Sequence, residues 1–305
     1  MLDRGIPSGY AEVMPGRASS LLSPFPYRGG KRKLAPAILR YFPSNVATLY
    51  EPFAGSGAVT LHAAAQGLAQ RYFLGDVLVP LAELWRRILE SPEALVHDYE
   101  LLWMGQFDNP RIHYDLTRKA FNADQDPVKL LYLLARCVKN AIRFNQNGEF
   151  NQAADHRRSG FDPETLRKRL LAVAPLRERS AVLAVDYRYL LRCAQREDLV
   201  YMDPPYQGAG KGRESRYYQS LYLPRFLDEL ETANARGVSY LISFDGRCGD
   251  RTYGPELPVE LGLRHVELRA GRSSQATLNG RADETIESLY LSPALLAWLP
   301  NGALP

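Results

Sequence analysis

The sequence predicts an α/β fold, a Rossmann-like mixed sheet interrupted by an inserted, mainly helical segment. Three observations carry that prediction. Thr48-Leu49-Tyr50 reads as a strand entering the glycine turn Glu51-Pro52-Phe53-Ala54-Gly55-Ser56-Gly57, and an alanine-rich helix follows from Ala58 to about Gln66. Strand, glycine turn and helix open a nucleotide-type α/β unit. A second strand, Arg71 to Gly75, ends in Asp76 close to 20 residues beyond that turn, where an acid can accept both hydroxyls of a ribose. The third is the apolar run Leu199-Val200-Tyr201-Met202, which stops at Asp203-Pro204-Pro205-Tyr206 because proline cannot continue a ladder.

The remaining elements follow in order. Residues 1 to 23 mix Gly, Pro and Ser without periodicity and read as a loose extension. Pro24 to Lys31 is a loop with paired glycines, Gly29 and Gly30, and a terminal lysine; a helix is expected from about Lys33 to Tyr41. Leu81 to Leu89 reads as a helix. From about Pro92 to Pro175 the alternation of strands and helices is lost. Helical patterns cover 93–104 and 127–139, and a polar, turn-rich stretch follows. Within it, Arg143 to Asn151 has the form of a β-hairpin with an Asn147-Gly148 turn. The α/β pattern resumes with a strand at Ala181–Val185, Asp186-Tyr187, a helix to about Ala194, and the strand 199–202. A helix at 223–235, a strand at 240–244 and a hairpin built from 264–269 and 284–291 complete the chain before a Pro/Leu-rich tail.

Composition narrows the function classes. The 305 residues are 46% hydrophobic and 24% charged, and the net charge of +4 permits a polyanionic partner without requiring one. Between Lys139 and Arg169 seven basic residues face four acidic ones. Interleaved with Phe, Asn and Gln, they suit a nucleic-acid surface on which phosphates position and amides or guanidinium groups read base edges. Cys137, Cys193 and Cys248 lie far apart without CxxC spacing, and the five histidines form no HxH or HxxxH pair, so neither a disulfide framework nor a metal centre is expected. No 18-residue apolar run occurs, so a cytoplasmic protein without a membrane partner is expected.

Asp203 ends its strand at the carboxyl edge of the sheet, where open α/β folds bind ligands. A carboxylate beside a proline carbonyl can accept both hydrogens of an aromatic or amide-like NH2. That frees the nitrogen lone pair and stabilises the positive charge that develops as it attacks. The Tyr206 face can stack on the group being held. The incomplete glycine fingerprint leaves two cofactor classes, a nicotinamide dinucleotide or S-adenosylmethionine.

Taken together and in this order, the motifs resemble those of the Dam-type DNA adenine (N6) methyltransferases. Tyr27-Arg28-Gly29-Gly30-Lys31 is similar to the amino-terminal cofactor motif, where that family usually has Trp-Ala-Gly-Gly-Lys. Glu51 to Gly57 resembles the Glu-Pro-Phe-x-Gly-x-Gly motif, Arg143 to Asn151 the recognition hairpin, and Asp203 to Tyr206 the catalytic motif. The resemblance implies a methyltransferase domain over 24–91 and 175–292, a target-recognition domain over 92–174, and a tail over 293–305. It implies S-adenosylmethionine on Tyr27, Gly29, Gly30, Lys31, Glu51, Pro52, Phe53, Gly55, Ser56, Gly57, Asp76, Asp186, Tyr187 and Asp203. Catalysis falls to Asp203, Pro204, Pro205 and Tyr206. Double-stranded DNA is the implied partner, contacted by Arg143, Asn145, Asn147, Arg157 and Arg158, with Lys211 and Arg213 from a Gly/Lys/Arg segment beside the active edge. A cognate restriction endonuclease is a further partner that the sequence leaves open. Three alternatives stand beside this reading: transfer to cytosine N4, transfer to RNA or a protein glutamine, and a non-catalytic DNA-binding relative.

Overall fold

A computed structural model describes residues 23–205, 221–248, 251–252, 255–272 and 284–300. Its centre is an eight-stranded sheet built from β1 (Val46–Glu51), β2 (Ala69–Asp76), β3 (Ser180–Ala184), β4 (Leu199–Met202), β5 (Ser239–Cys248), β6 (Arg251–Thr252), β7 (Arg264–Arg272) and β8 (Glu284–Leu291). The strand order is β3-β2-β1-β4-β5-β8-β7, with β6 paired to β5. The first five strands are parallel, whereas β8 runs antiparallel to both β5 and β7. β4 is buried at all four positions, as a central strand covered on both faces must be.

The covering layers explain that burial. On one face, α1 (Ala35–Ile38), α2 (Ala58–Ala65) and α3 (Val79–Glu90) pack around fully buried Trp85, Tyr72 and Leu49. On the other, α8 (Tyr187–Cys193) and α9 (Leu223–Ala235) cover Val200, Met202, Tyr240 and Ile242. The insertion supplies α4 (Pro92–Met104), α5 (Pro110–Asp124), α6 (Pro127–Arg136) and α7 (Pro163–Leu171). Its apolar side chains, among them Tyr99, Phe121, Leu133 and Leu166, belong to the same hydrophobic cluster as Trp85. The sequence reading contained α4 and α6 but no helix over 110–124. That helix starts at a proline behind an Asn109 cap, whose side chain accepts from Ile112 N, and buries only Tyr114, Thr117 and Phe121.

The tail begins with α10 (Pro293–Trp298), which seats Leu295 in the core. Ser292, fully buried, fastens it. Its hydroxyl accepts from Tyr240 N of β5 at 2.9 Å and from Leu295 N at 3.2 Å, and donates to Val238 O at 3.4 Å. Replacing it with alanine leaves a buried strand amide without an acceptor, and Ser292→Ala is expected to lower stability by about 1–3 kcal/mol. Chemical denaturation with an unchanged m-value checks this, and a loss under 0.5 kcal/mol would contradict it.

Candidate active site

Because β1, β2 and β4 are parallel neighbours, their last residues bring Glu51, Asp76 and Asp203 to one edge of the sheet. Asp203 follows β4 directly, with Pro204 buried and Pro205 half-buried behind it. Lys31, only 6% exposed, places its ammonium 2.9 Å from Asp203 Oδ1 and 3.5 Å from Glu287 Oε2 on β8. The lysine expected at the end of the glycine loop therefore sits on the carboxylate expected to be catalytic. Burial lifts the Asp203 carboxyl to about 6, the Lys31 charge acting against that rise and Glu287 adding to it. For Lys31 burial opposes the charge, but Asp203 and Glu287 outweigh it and hold the ammonium above its ordinary value. Beneath the pair, the buried Tyr201 hydroxyl lies 2.8 Å from Ser243 Oγ.

Two glycine loops meet beside this cluster. Gly55 and Gly57 adopt positive φ, which permits the tight exit from β1 into α2. Gly55 N donates to Asp76 Oδ2 at 3.2 Å, and Gly55 O accepts from Trp85 Nε1 at 2.8 Å. Leu78 N donates to the other Asp76 oxygen at 3.0 Å. A Cβ at Gly30 would lie 2.6 Å from Ser56 Oγ, and one at Gly55 would meet the Tyr27 ring at 3.1 Å. The loop at 27–31 and the turn at 51–57 are thus pressed against each other, with the Ser56 and Tyr27 side chains filling the space that the glycines leave. A Cβ at Gly75 would meet Leu190 Cδ1 at 2.5 Å and Pro52 Cα at 3.3 Å, so the end of β2 packs closely against the turn after β1.

Farther along the edge, Phe53 and Tyr187 stack at 5.2 Å with 22° between their planes, and Phe53 is half-buried. Asp186 caps α8 by accepting from Arg188 N at 3.0 Å and pairs with Arg188 Nε at 2.6 Å. Its carboxylate is turned to its own helix, so Tyr187 and Phe53 form the flat surface here. The residue set fits S-adenosylmethionine: two abutting glycine loops, a carboxylate on β2 and an aromatic pair beyond it. Tyr206, Lys211 and Arg213 lie outside the described residues. Among the described residues no cluster of three or more His, Cys, Asp or Glu side chains is arranged to hold a metal. No described helix is long and apolar enough to cross a membrane.

The hairpin expected at 143–151 forms. Phe144 pairs with Phe150 across it, and both rings pack edge-on, Phe150 also against Phe121. Asn145 holds the turn: its Oδ1 accepts from Asn147 N and Glu149 N, and its Nδ2 donates to Glu149 Oε2 at 2.7 Å. Gln146, Asn147 and Glu149 are left exposed at the tip. Arg157, 86% exposed at its side chain, is paired in a fork with buried Asp155, which also meets Arg158 at 3.3 Å. Arg158 also donates to Asn140 Oδ1, and Asn140 O accepts from Arg28 N at 2.9 Å. The inserted segment is thereby bonded to the loop that carries Lys31. The sequence reading gave Glu287 no role; β8 brings it to the site.

Glu51 is buried, accepts from Thr60 N at 2.9 Å, and is lifted by burial to about 8. A carboxyl with a raised folded-state value favours the fold while protonated, and that contribution is lost as pH climbs from the ordinary carboxyl range towards 8. Glu51→Gln, which keeps an acceptor for Thr60 N, is expected to stabilise the protein by about 1–3 kcal/mol at pH 8 and by much less at pH 5. Calorimetric melting at both values checks it; an equal effect at the two pH values would contradict it.

The family of D12 class N6 adenine-specific DNA methyltransferases matches residues 27–245 of the chain. A DNA adenine methylase of Haemophilus influenzae is 27% identical over 184 residues, covering 59% of this chain and 62% of that one. The type II methyltransferase M.FokI of Planomicrobium okeanokoites is 25% identical over 284 residues, covering 89% of this chain but 43% of the relative. A DNA adenine methylase of Vibrio cholerae is 26% identical over 227 residues, covering 71% of this chain and 79% of that one. The chain thus spans less than two thirds of the first two of these relatives. With its motifs gathered at one sheet edge and the match running through most of its length, the chain belongs to the D12 class of N6 adenine-specific DNA methyltransferases.

Proposed function

We propose that the chain transfers a methyl group from S-adenosylmethionine to N6 of an adenine turned out of duplex DNA. The observation that carries this reading is the Asp203 carboxylate, fixed by Lys31 at the carboxyl edge beside the two abutting glycine loops. When bound, S-adenosylmethionine supplies an electrophilic methyl on a sulfonium leaving group. The protein's part is to hold and orient. Gly29, Gly30, Gly55 and Gly57 bring backbone close to the cofactor, Asp76 faces its ribose, and Phe53 with Tyr187 flanks its adenine. Asp203 and the Pro204 carbonyl accept the two hydrogens of the target amine, and Tyr206 stacks on its ring. Lys31 acts on the reaction through Asp203. Extruding the base costs a few kcal/mol, which the pocket must offset.

Recognition falls to the hairpin and the basic segment behind it. Arg143 is assigned to a base edge, and Arg157 and Arg158 to phosphates. Asn145, occupied in shaping the turn, presents Gln146 and Asn147 to the groove. Arg143→Ala is expected to cost about 1–3 kcal/mol of binding and to relax one base of the site, whereas Arg158→Ala weakens all sequences alike. Binding titrations on a panel of single-substituted duplexes separate the two patterns.

The primary test is transfer from labelled S-adenosylmethionine to unmethylated duplex DNA, with nucleoside analysis of the product. Label in N6-methyladenine is expected. Label in N4-methylcytosine would overturn the base assignment, and no label in DNA would overturn the reading. Asp203→Ala is expected to lower turnover by about 10²–10³-fold or more while cofactor affinity stays within about threefold. Because only the carboxylate form accepts from the amine, the rate should fall as pH drops through about 6, the value at which Asp203 gains its proton.

A further inference from the structure

The sequence reading gave Glu287 no role, yet it joins the charge arrangement at Asp203. Its carboxylate oxygen is 3.5 Å from the ammonium that bonds Asp203 at 2.9 Å. The sheet is distorted around it. β5 carries one extra residue relative to β8 between Ser243 and Gly246, and Gly246 pairs with Glu287. A Cβ on Gly246 would lie 2.3 Å from Ile286 O, so only glycine allows that approach. β7 shifts register against β8 as well, between Arg269 and Gly271, beside Ile286. Bulges re-aim side chains, and here two of them flank the strand segment that delivers Glu287 to the site.

The charge count shows what this delivery changes. Asp203 and Lys31 alone are a neutral pair, and an ammonium 2.9 Å from the accepting carboxylate opposes the positive charge that develops on the amine. Among the described residues Glu287 adds a second negative charge beside the one ammonium. Burial lifts Glu51, another acid near Asp203, to about 8 and so towards its neutral form, and it raises the Tyr201 hydroxyl as well. Glu287 also gives Lys31 a second acceptor when the amine takes up Asp203. We propose that Glu287 is a positioning residue for methyl transfer, sharing the Lys31 ammonium with Asp203 so that a second negative charge stands beside the carboxylate that faces the attacking nitrogen. This rests on the methyltransferase reading above.

Three variants test it, with unaltered protein run in parallel. Glu287→Gln is isosteric and is expected to lower kcat about 10–100-fold with cofactor affinity within about threefold. Glu287→Asp keeps the charge and is expected to retain several-fold more activity than the glutamine variant. The pH profile supplies a signature that a packing role would not move. Losing Glu287 removes a neighbour that raises the Asp203 carboxyl, so the acid limb of kcat moves to lower pH; Lys31→Met removes the neighbour that lowers it, so the limb moves to higher pH. Carbon-13 titration of the Asp203 carboxyl in the free proteins reads the same opposed shifts without turnover. Unmoved titrations, or aspartate and glutamine variants of equal activity, would overturn the inference while leaving the methyltransferase reading standing. Absence of transfer by the unaltered protein would overturn both.

Discussion

A buried ammonium between two carboxylates is the interaction on which the rest of the site depends. Lys31 belongs to a loop without regular structure, Asp203 to the end of a central strand, and Glu287 to an antiparallel strand from the far end of the chain. Taking such charges out of water is expensive and is repaid only where the geometry is good and each charge has partners. Lys31 meets that condition with Asp203 and Glu287 among the described residues. Their shared hold also fixes the loop register, which in turn sets Gly30 against Ser56 and Tyr27 against Gly55. The acidic sheet edge and the two glycine loops are therefore one mechanical unit.

That unit is held against its own electrostatic preference. Burial raises Glu51, Asp76 and Asp203 together, to about 8, 6 and 6. Three acids at one edge are each stabilised by backbone or lysine donors, yet none reaches an ordinary carboxylate value. The stability that tolerates this comes from elsewhere, from the layers of Trp85, Tyr72 and Leu49 on one face and Tyr240, Ile242 and Phe244 on the other. Sites built for chemistry commonly show perturbed titration for this reason.

Much of this was legible in the sequence. The strand 199–202 and the helix 223–235 have the boundaries that Leu199 to Met202 and Leu223 to Ala235 suggest, because prolines and a clean apolar period mark them. The acids at strand ends were legible for the same reason: a short buried run followed by a breaker locates its own carboxyl edge. What escaped has physical causes. The helix at 110–124 hides its start behind a cap and buries a thin stripe of mixed polarity. The part of Asn145 in the turn depends on hydrogen bonds two and four residues away, which look the same in sequence as a free recognition amide. Glu287 sits in a strand whose partners are set by two bulges, and no local pattern announces where a bulged strand will aim a side chain.

The insertion is the remaining element of synthesis. A helical segment between α3 and β3 invites description as a separate module, yet its side chains run into the same apolar cluster as Trp85. The polar contacts agree with the apolar ones. Arg158 bonds the Asn140 side chain, and the Asn140 carbonyl accepts from the backbone of Arg28, three residues before Lys31. Lys139 and Asn140 hold positive φ, a conformation that non-glycine residues keep only where their surroundings impose it. One strained pair thus ties Arg158 of the insertion to the loop whose Lys31 holds Asp203. Core continuity makes the tie stiff, because a packed interior transmits displacement instead of absorbing it.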